Sequence, residues 1–464
     1  MNLINSFKKF YRISKPSSTK APVEQQEKLF RRFGLQSFLA GTIGYSLYYV
    51  CRTSLNVVKK PILDDGLLDA TQLGLIGSVL LFAYAIGKFV NGFLADHCNI
   101  KRLMATGLIV SAAANFIMGI LGFSGGVLPT ASVFLLFAIM WGINGWSQSM
   151  GAPPAIIALS RWYPLSRRGT FYGFFSLSHN LGEWLSFLFV GILVSVAGWQ
   201  WGFFGSAMAG VLGVIVIVFF LHDTPQSKGL PSVEEMAGEA PQNAKHESTS
   251  GLQKMVLKTP AVWILAAASA FMYIARYAIN GWGVLFLQEE KGFSMTEATT
   301  IISINALLGI LGTVLSGWVS DKLFRSDRYV PALIFGAMNS VALILFMFGG
   351  DSWTINIIAM ILFGISIGVL ICFLGGLMAV DIVPRQATGA ALGVVGAASY
   401  VAAGIQDVAS GWLIDGKSVV TYTLDAAGNF VKDIQYDFTP VAIFWIVASI
   451  ISFLLPVLNW KYRK

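Results

Sequence analysis

Two arginines lie inside long apolar stretches. Arg52 sits about two-thirds of the way along one, and Arg276 near the middle of another. A charge at the centre of a membrane-spanning helix costs several kcal/mol unless it faces a partner or a water-filled cavity. Neither stretch holds an acidic residue placed to neutralise its arginine. Two readings follow: each guanidinium snorkels or bonds backbone carbonyls in packing, or both face a central cavity and receive an anion. A phosphoryl group suits the second reading, because guanidinium forks hydrogen-bond its oxygens in parallel.

Other candidates surround them. Lys88, beside Tyr84, is a third cation in an apolar stretch; it reads as a supporting positive charge, as a snorkel towards the nearby helix end, or as the partner of a distant carboxylate. His179 titrates near neutrality when unperturbed and reads as a substrate contact or as a satisfied hydrogen-bond partner. Tyr45, Tyr48 and Tyr49 precede Arg52 by seven, four and three residues. The last two spacings put Tyr48 and Tyr49 on or near the arginine's face, where they would donate to phosphate oxygens or pack between helices. Glu183 follows His179 by four residues, one turn along the same face. It reads as a partner for His179 or for one of the cations, or as a structural bond.

The rest of the chain must place these groups in a membrane. Of 464 residues, 55% are hydrophobic and 12% charged, and the mean hydropathy is positive. Soluble chains carry roughly 25% charged residues. Stretches of the ~20 apolar residues that span a bilayer recur from Leu35 almost to the end. Spans are expected near 35–58, 72–95, 103–122, 131–158, 169–197 and 201–221, then near 262–288, 297–320, 329–349, 353–380, 387–414 and 438–459. The first 34 residues are polar and basic and show no cleavable signal pattern. Leu35–Val58 is therefore expected to be retained as the insertion signal.

The formal charge of +8 does not point to nucleic acid, because lysine and arginine cluster in every second loop. Roughly 24 of the 32 fall on the side of the N-terminus, the positive-inside pattern. It predicts an inner-membrane, multi-pass protein with both termini cytoplasmic. Residues 222–261 read as a cytoplasmic linker, and residues 415–437 as an outer loop whose 421–436 segment alternates like a hairpin. Cys51, Cys98 and Cys372 have no metal-ligand spacing and are read as packing residues. No nucleophile–base pair, phosphate-cradling loop or metal site stands out, so neither an enzyme nor a cofactor is expected.

The spans fall into two sets of six, and residues repeat between them. Gly92-Phe-Leu-Ala-Asp96 matches Gly317-Trp-Val-Ser-Asp321, Arg52 matches Arg276, and Pro164, Gly169 and Gly173 match Pro384, Gly389 and Gly393. All share an offset of about 220 to 225 residues, as expected of two homologous halves around a midplane site. The expected organisation is an N-terminal segment 1–34, a six-helix half 35–221, the linker 222–261 and a second half 262–464.

Gly92-x-Leu-Ala-Asp96 with Lys101-Arg102, and its second copy Asp321-Lys322 with Arg325, resembles the loop motif of the major facilitator superfamily. Within it the chain resembles the organophosphate:phosphate antiporters, which include glycerol-3-phosphate and hexose-phosphate carriers and a related hexose-phosphate sensor. The likeness rests on Gly44-Tyr-Ser-Leu-Tyr-Tyr-Val-Cys-Arg52, Tyr84-Ala-Ile-Gly-Lys88-Phe, Arg168-Gly-Thr, Ser178-His179-Asn180-Leu-Gly182, Asp223-Thr-Pro and Arg276-Tyr-Ala-Ile-Asn-Gly-Trp282. The resemblance implies an all-α membrane protein of about twelve helices in two pseudo-symmetric halves. It makes Arg52 and Arg276 the phosphate clamp, Lys88 a cation near it and His179 a substrate contact, with Tyr84 and Asn280 joining the candidate set. Asp96, Arg102, Asp321, Lys322 and Arg325 would form and break charge pairs as a monomeric carrier changes orientation.

The match also has gaps. Gly281 stands where the family usually carries an acid, Asn305 is the polar residue nearest to Ala306, where a glutamate is common, and Leu392 and Val395 replace an ion pair known in some hexose-phosphate carriers. Glu183 replaces a glycine. Three readings remain at this point: exchange of a phosphate ester for phosphate, sensing of an external hexose phosphate, and proton-coupled transport of another solute through Glu183 and His179.

Overall fold

The computed structural model describes residues 3–124, 127–238, 249–325, 327–383, 387–416, 418–424 and 430–462. Its helices are α1 (Leu3–Tyr11), α2 (Val23–Asp64), α3 (Ala70–His97), α4 (Ile100–Gly122), α5 (Thr130–Gln148), α6 (Ala152–Trp162), α7 (Leu165–Ser176), α8 (Ser178–Ala197) and α9 (Trp199–Phe220). Two short helices follow, α10 (Val233–Ala237) and α11 (Thr249–Lys258), and then α12 (Pro260–Glu289), α13 (Met295–Trp318), α14 (Tyr329–Phe348), α15 (Trp353–Cys372), α16 (Met378–Ile382), α17 (Thr388–Asp415) and α18 (Thr439–Leu454).

Among the described residues, eleven stretches are long and apolar enough to cross a membrane. The twelfth span is α2. Its membrane part is diluted by glycine, serine, threonine, tyrosine and Arg52 and falls short on apolarity although it is deeply packed. The helix also starts well before the expected Leu35, since Val23–Gly34 is rich in the good helix formers Glu, Gln, Lys and Arg.

Three expected spans are interrupted well inside their bounds. The fourth divides at Ser149–Gly151 into α5 and α6, where Pro153 and Pro154 in the first turn of α6 lack the N–H groups that would continue the ladder. The fifth divides at Leu177 into α7 and α8. The tenth passes through a π-helical turn at Phe373–Leu377, which contains Gly375 and Gly376.

Helices α2, α4, α5, α8 and α9 pack among themselves, as do α12 to α15, α17 and α18. The halves meet where α3 crosses α17 and α8 crosses α13. At one end this interface is tight: a Cβ on Gly74 would stand 2.4 Å from the Asp407 carbonyl oxygen, and one on Gly411 2.4 Å from that of Ala70. Small residues let membrane helices approach this closely. At the other end, which carries the N-terminal segment, a Cβ on Gly92, Gly173, Gly393 or Gly396 would meet nothing within 4 Å. The interface between the halves is therefore closed at one end and open at the other.

The closed end carries β1 (Val419–Leu424) and β2 (Phe430–Gln435), an antiparallel pair with Val419 opposite Gln435. The turn residues 425–429 lie outside the described residues, as do 239–248 of the linker. At the open end the N-terminal segment is held against the helices. Asn99 N–H donates to the Tyr11 carbonyl over 2.7 Å and Ala21 N–H to that of Gly229 over 2.9 Å.

Candidate functional site

Arg52 projects from the midsection of α2. The Cys51 carbonyl beside it accepts from Asn115 Nδ2 at 2.8 Å and Asn144 Nδ2 at 3.0 Å, and the Tyr48 carbonyl accepts from Gln148 Nε2 at 3.0 Å. These side chains from α4 and α5 pin the backbone that aims Arg52 at the other half. Buried amides of this kind are mostly partnered, and here Gln148 Nε2 also donates to Asn144 Oδ1 at 3.3 Å.

From that position Arg52 Nη2 donates to the Tyr277 hydroxyl across 3.0 Å, a bond from α2 to α12. Its guanidinium carbon lies 4.3 Å from the Tyr84 ring centre, 5.5 Å from that of Tyr49 and 5.8 Å from that of Tyr400. Arg276 lies 5.8 Å from the rings of Tyr273 and Tyr277. Both arginines are 6% exposed. Tyr277 thus touches both, and the two guanidinium groups share one tyrosine-lined chamber. Aromatic faces attract these cations without neutralising them.

Among the described residues Arg276 has one acidic neighbour, from α8. Glu183 Oε2 is 3.6 Å from its Nη2, and Glu183 Oε1 accepts from Asn280 Nδ2 at 2.7 Å. Of the alternatives for Glu183, the structure has it meet Arg276 rather than His179. The His179 ring lies 6.0 Å from that of Tyr49. Lys88 is an exposed residue on α3. Its Nζ still lies 5.1 Å from the Tyr400 ring.

Two tyrosines are not brought to the arginines. The Tyr48 hydroxyl donates to the Met104 carbonyl at 2.6 Å, between α2 and α4. Tyr45 packs on Phe175 at 5.3 Å and on Tyr49 at 5.5 Å. The side chains of Asp96 and Asp321 lie outside the described part of the structure. Arg102 donates to the Phe10 carbonyl and covers its ring at 5.0 Å; Lys322 and Arg325 are exposed.

Sequence reasoning missed Tyr273, Tyr277 and Tyr400. A signal existed for one of them: Tyr273 precedes Arg276 by three residues, as Tyr49 precedes Arg52. It also missed Lys59 and Asp407. Lys59 Nζ is 3.3 Å from Asp407 Oδ1 and 3.4 Å from the centre of the Trp282 ring, and Trp282 Nε1 donates to the same oxygen at 2.6 Å. That oxygen lies 3.6 Å from where a Cβ on Gly281 would stand. A carboxylate is therefore present beside position 281, supplied by α17 instead of α12. At the same closed end Lys60 pairs with Glu289, and the Asp415 carboxylate accepts from Ala70 N–H at 3.2 Å and from Thr71 N–H.

Comparison with known proteins agrees with this architecture. The family model of the Major Facilitator Superfamily matches residues 41–406. The "Probable hexose phosphate transport protein" of Chlamydia pneumoniae is 31% identical over 86% of this chain and 89% of its own. The "Glycerol-3-phosphate transporter" of Bacillus subtilis (strain 168) is 33% identical, again over 86% of this chain and 89% of its own. Among solved structures, a bacterial homologue of the human lysosomal transporter Spinster, in an inward-facing and unoccupied conformation, superposes with a TM-score of 0.72. It covers 93% of this chain and 98% of that one at 17% identity, a likeness of fold. The chain is a multi-pass membrane transporter of the major facilitator superfamily and belongs, within it, to the organophosphate:phosphate antiporter family.

Proposed function

We propose that this protein exchanges a phosphorylated small metabolite for inorganic phosphate by alternating access. The observation that carries this reading is the pair Arg52 and Arg276, one from each half, meeting at Tyr277. A phosphoryl group held between them would draw the halves together about the central site. Relatives named as hexose phosphate and glycerol-3-phosphate transporters supply the substrate class. Exchange follows from electrostatics. Among the described residues the direct contacts of the Arg52 guanidinium are tyrosines, and charges removed from water without a counter-ion in contact cost several kcal/mol each after relaxation. A bound phosphate or ester offsets that cost, so the occluded state is reached when loaded.

We place both termini and the linker in the cytoplasm, on the positive-inside distribution of lysine and arginine, which makes the open end cytoplasmic. The working unit in this reading is the monomer, with residues 35–221 rocking against 262–464. Asp96, Arg102, Asp321, Lys322 and Arg325 then close the open end, as the ion pairs of Lys59 and Lys60 hold the other. Efflux of labelled phosphate from proteoliposomes tests the reading. Efflux that requires external phosphate or ester supports it. Efflux that runs equally fast into substrate-free buffer contradicts it, and binding of an ester without any exchange would instead favour a sensor.

A further inference from the structure

Near Arg276 stand two hydrogen-bond acceptors, Glu183 and Asn280 Oδ1. Glu183 takes a bond from Asn280 Nδ2, which fixes the orientation of that amide: its nitrogen is used and its oxygen faces elsewhere. Among the described residues Asn280 Oδ1 is buried with no donor, and Asn280 is only 5% exposed. A buried acceptor left without a donor is rare and calls for a partner. Beside it, Glu183 is a carboxylate also 5% exposed. Glu183 and Asn280 Oδ1 thus offer acceptors, while Arg52 and Arg276 supply donors in excess.

Charge makes the same division. Arg52, Arg276 and Lys88 are cations and Glu183 is the one carboxylate among them, so these four groups leave two net positive charges. A phosphate monoester carries close to two negative charges near neutrality. An ester that also bears a carboxylate carries three, and a carboxylate turned towards Glu183 would meet a like charge.

Resting on the phosphate-exchange reading, we propose that Glu183 and Asn280 determine specificity, selecting phosphate monoesters of polyols and sugars and rejecting carboxylated ones. Substrate hydroxyls donate to Glu183 and to Asn280 Oδ1 while the phosphoryl oxygens receive the arginines. A site built to bond a hydroxyl discriminates strongly against ligands that lack it, and juxtaposed like charges repel wrong ligands.

The test compares glycerol 3-phosphate with 3-phosphoglycerate as competitors of phosphate exchange, in the unaltered protein, Glu183→Gln and Asn280→Leu. The inferred result is a preference of about tenfold or more for glycerol 3-phosphate. Glu183→Gln shrinks that ratio at least severalfold by relieving the carboxylated ester, and Asn280→Leu shrinks it by weakening the polyol ester. Thermal shifts of the purified proteins with the same two ligands give the same ratio where turnover is absent, so a failure of exchange alone strikes the function and not the specificity. Equal competition in the unaltered protein, or a ratio that neither substitution moves in either measurement, overturns the inference.

Discussion

Lys59 on α2 and Asp407 on α17 form a buried ion pair, 3.3 Å apart, that joins the two halves at the closed end of the interface. The pair is fully enclosed on the lysine side, and the Trp282 indole completes it, donating to the carboxylate while its ring covers the ammonium. Three helices, α2, α12 and α17, are thereby tied at one point.

Removing one member leaves the other buried without a partner, which costs about 3–5 kcal/mol. Asp407→Asn and Lys59→Met are each expected to lower the melting temperature in detergent markedly. The double substitution Lys59→Met with Asp407→Leu should recover most of that loss, since an apolar pair of similar volume is often neutral. A double variant no more stable than either single one would contradict this account of the closed end.

Gly77 faces the same carboxylate. A Cβ there would lie 1.7 Å from Asp407 Oδ2, so Gly77→Ala must push the carboxylate off Lys59 and Trp282. Overpacking typically costs about 1–3 kcal/mol. Coupling is the readout: the loss should largely disappear when Asp407 is already alanine, as measured by a double-mutant cycle of melting temperatures. Equal losses in both backgrounds would place the clash elsewhere.

His222 follows α9 outside the spans. Its ring packs edge-on to Phe33 at 4.9 Å, and its Nε2 shares a hydrogen bond with Gln36 Oε1 at 3.2 Å. Burial, with Lys228 and Lys101 adding to it, pushes the imidazole down to about 4. The folded state therefore holds the neutral ring where an unfolded chain, near 6.5, takes up a proton. Its contribution to stability is complete above about pH 6.5 and is lost as the pH falls towards 4. His222→Gln should flatten the melting-temperature profile across that window. An unchanged profile would mean that other groups govern it.

The fold was legible because bilayer chemistry leaves few options: twelve spans, a halfway linker and repeated motifs can be counted. Breaks were harder to see. Pro153-Pro154 was visible, yet it lies inside an apolar run that hydropathy alone joins. At the site, Arg52 and Arg276 announced themselves by the cost of placing charge in a span. Asp407 did not, because its partner Lys59 is 348 positions away and a single carboxylate late in a helix reads as a helix end. Tyr400 gave no signal either: one tyrosine in a helix of small residues becomes meaningful only when α17 brings it beside Tyr84, at 4.8 Å between ring centres. For Tyr45 and Tyr48 the spacing left two readings open, and their contacts with Met104 and Phe175 match the packing one, since helical spacing does not say which neighbour a face meets.

The central claim, that Arg52 and Arg276 together clamp the phosphoryl group, is tested most directly by phosphate exchange in preloaded proteoliposomes containing the unaltered protein, Arg52→Ala or Arg276→Ala. Truncating one member of a buried charge contact costs about 2–5 kcal/mol, so each variant should lose roughly 100-fold or more in apparent affinity or rate, with Arg→Lys retaining part of it. Either alanine variant exchanging phosphate like the unaltered protein, while folded and correctly inserted, would contradict the clamp.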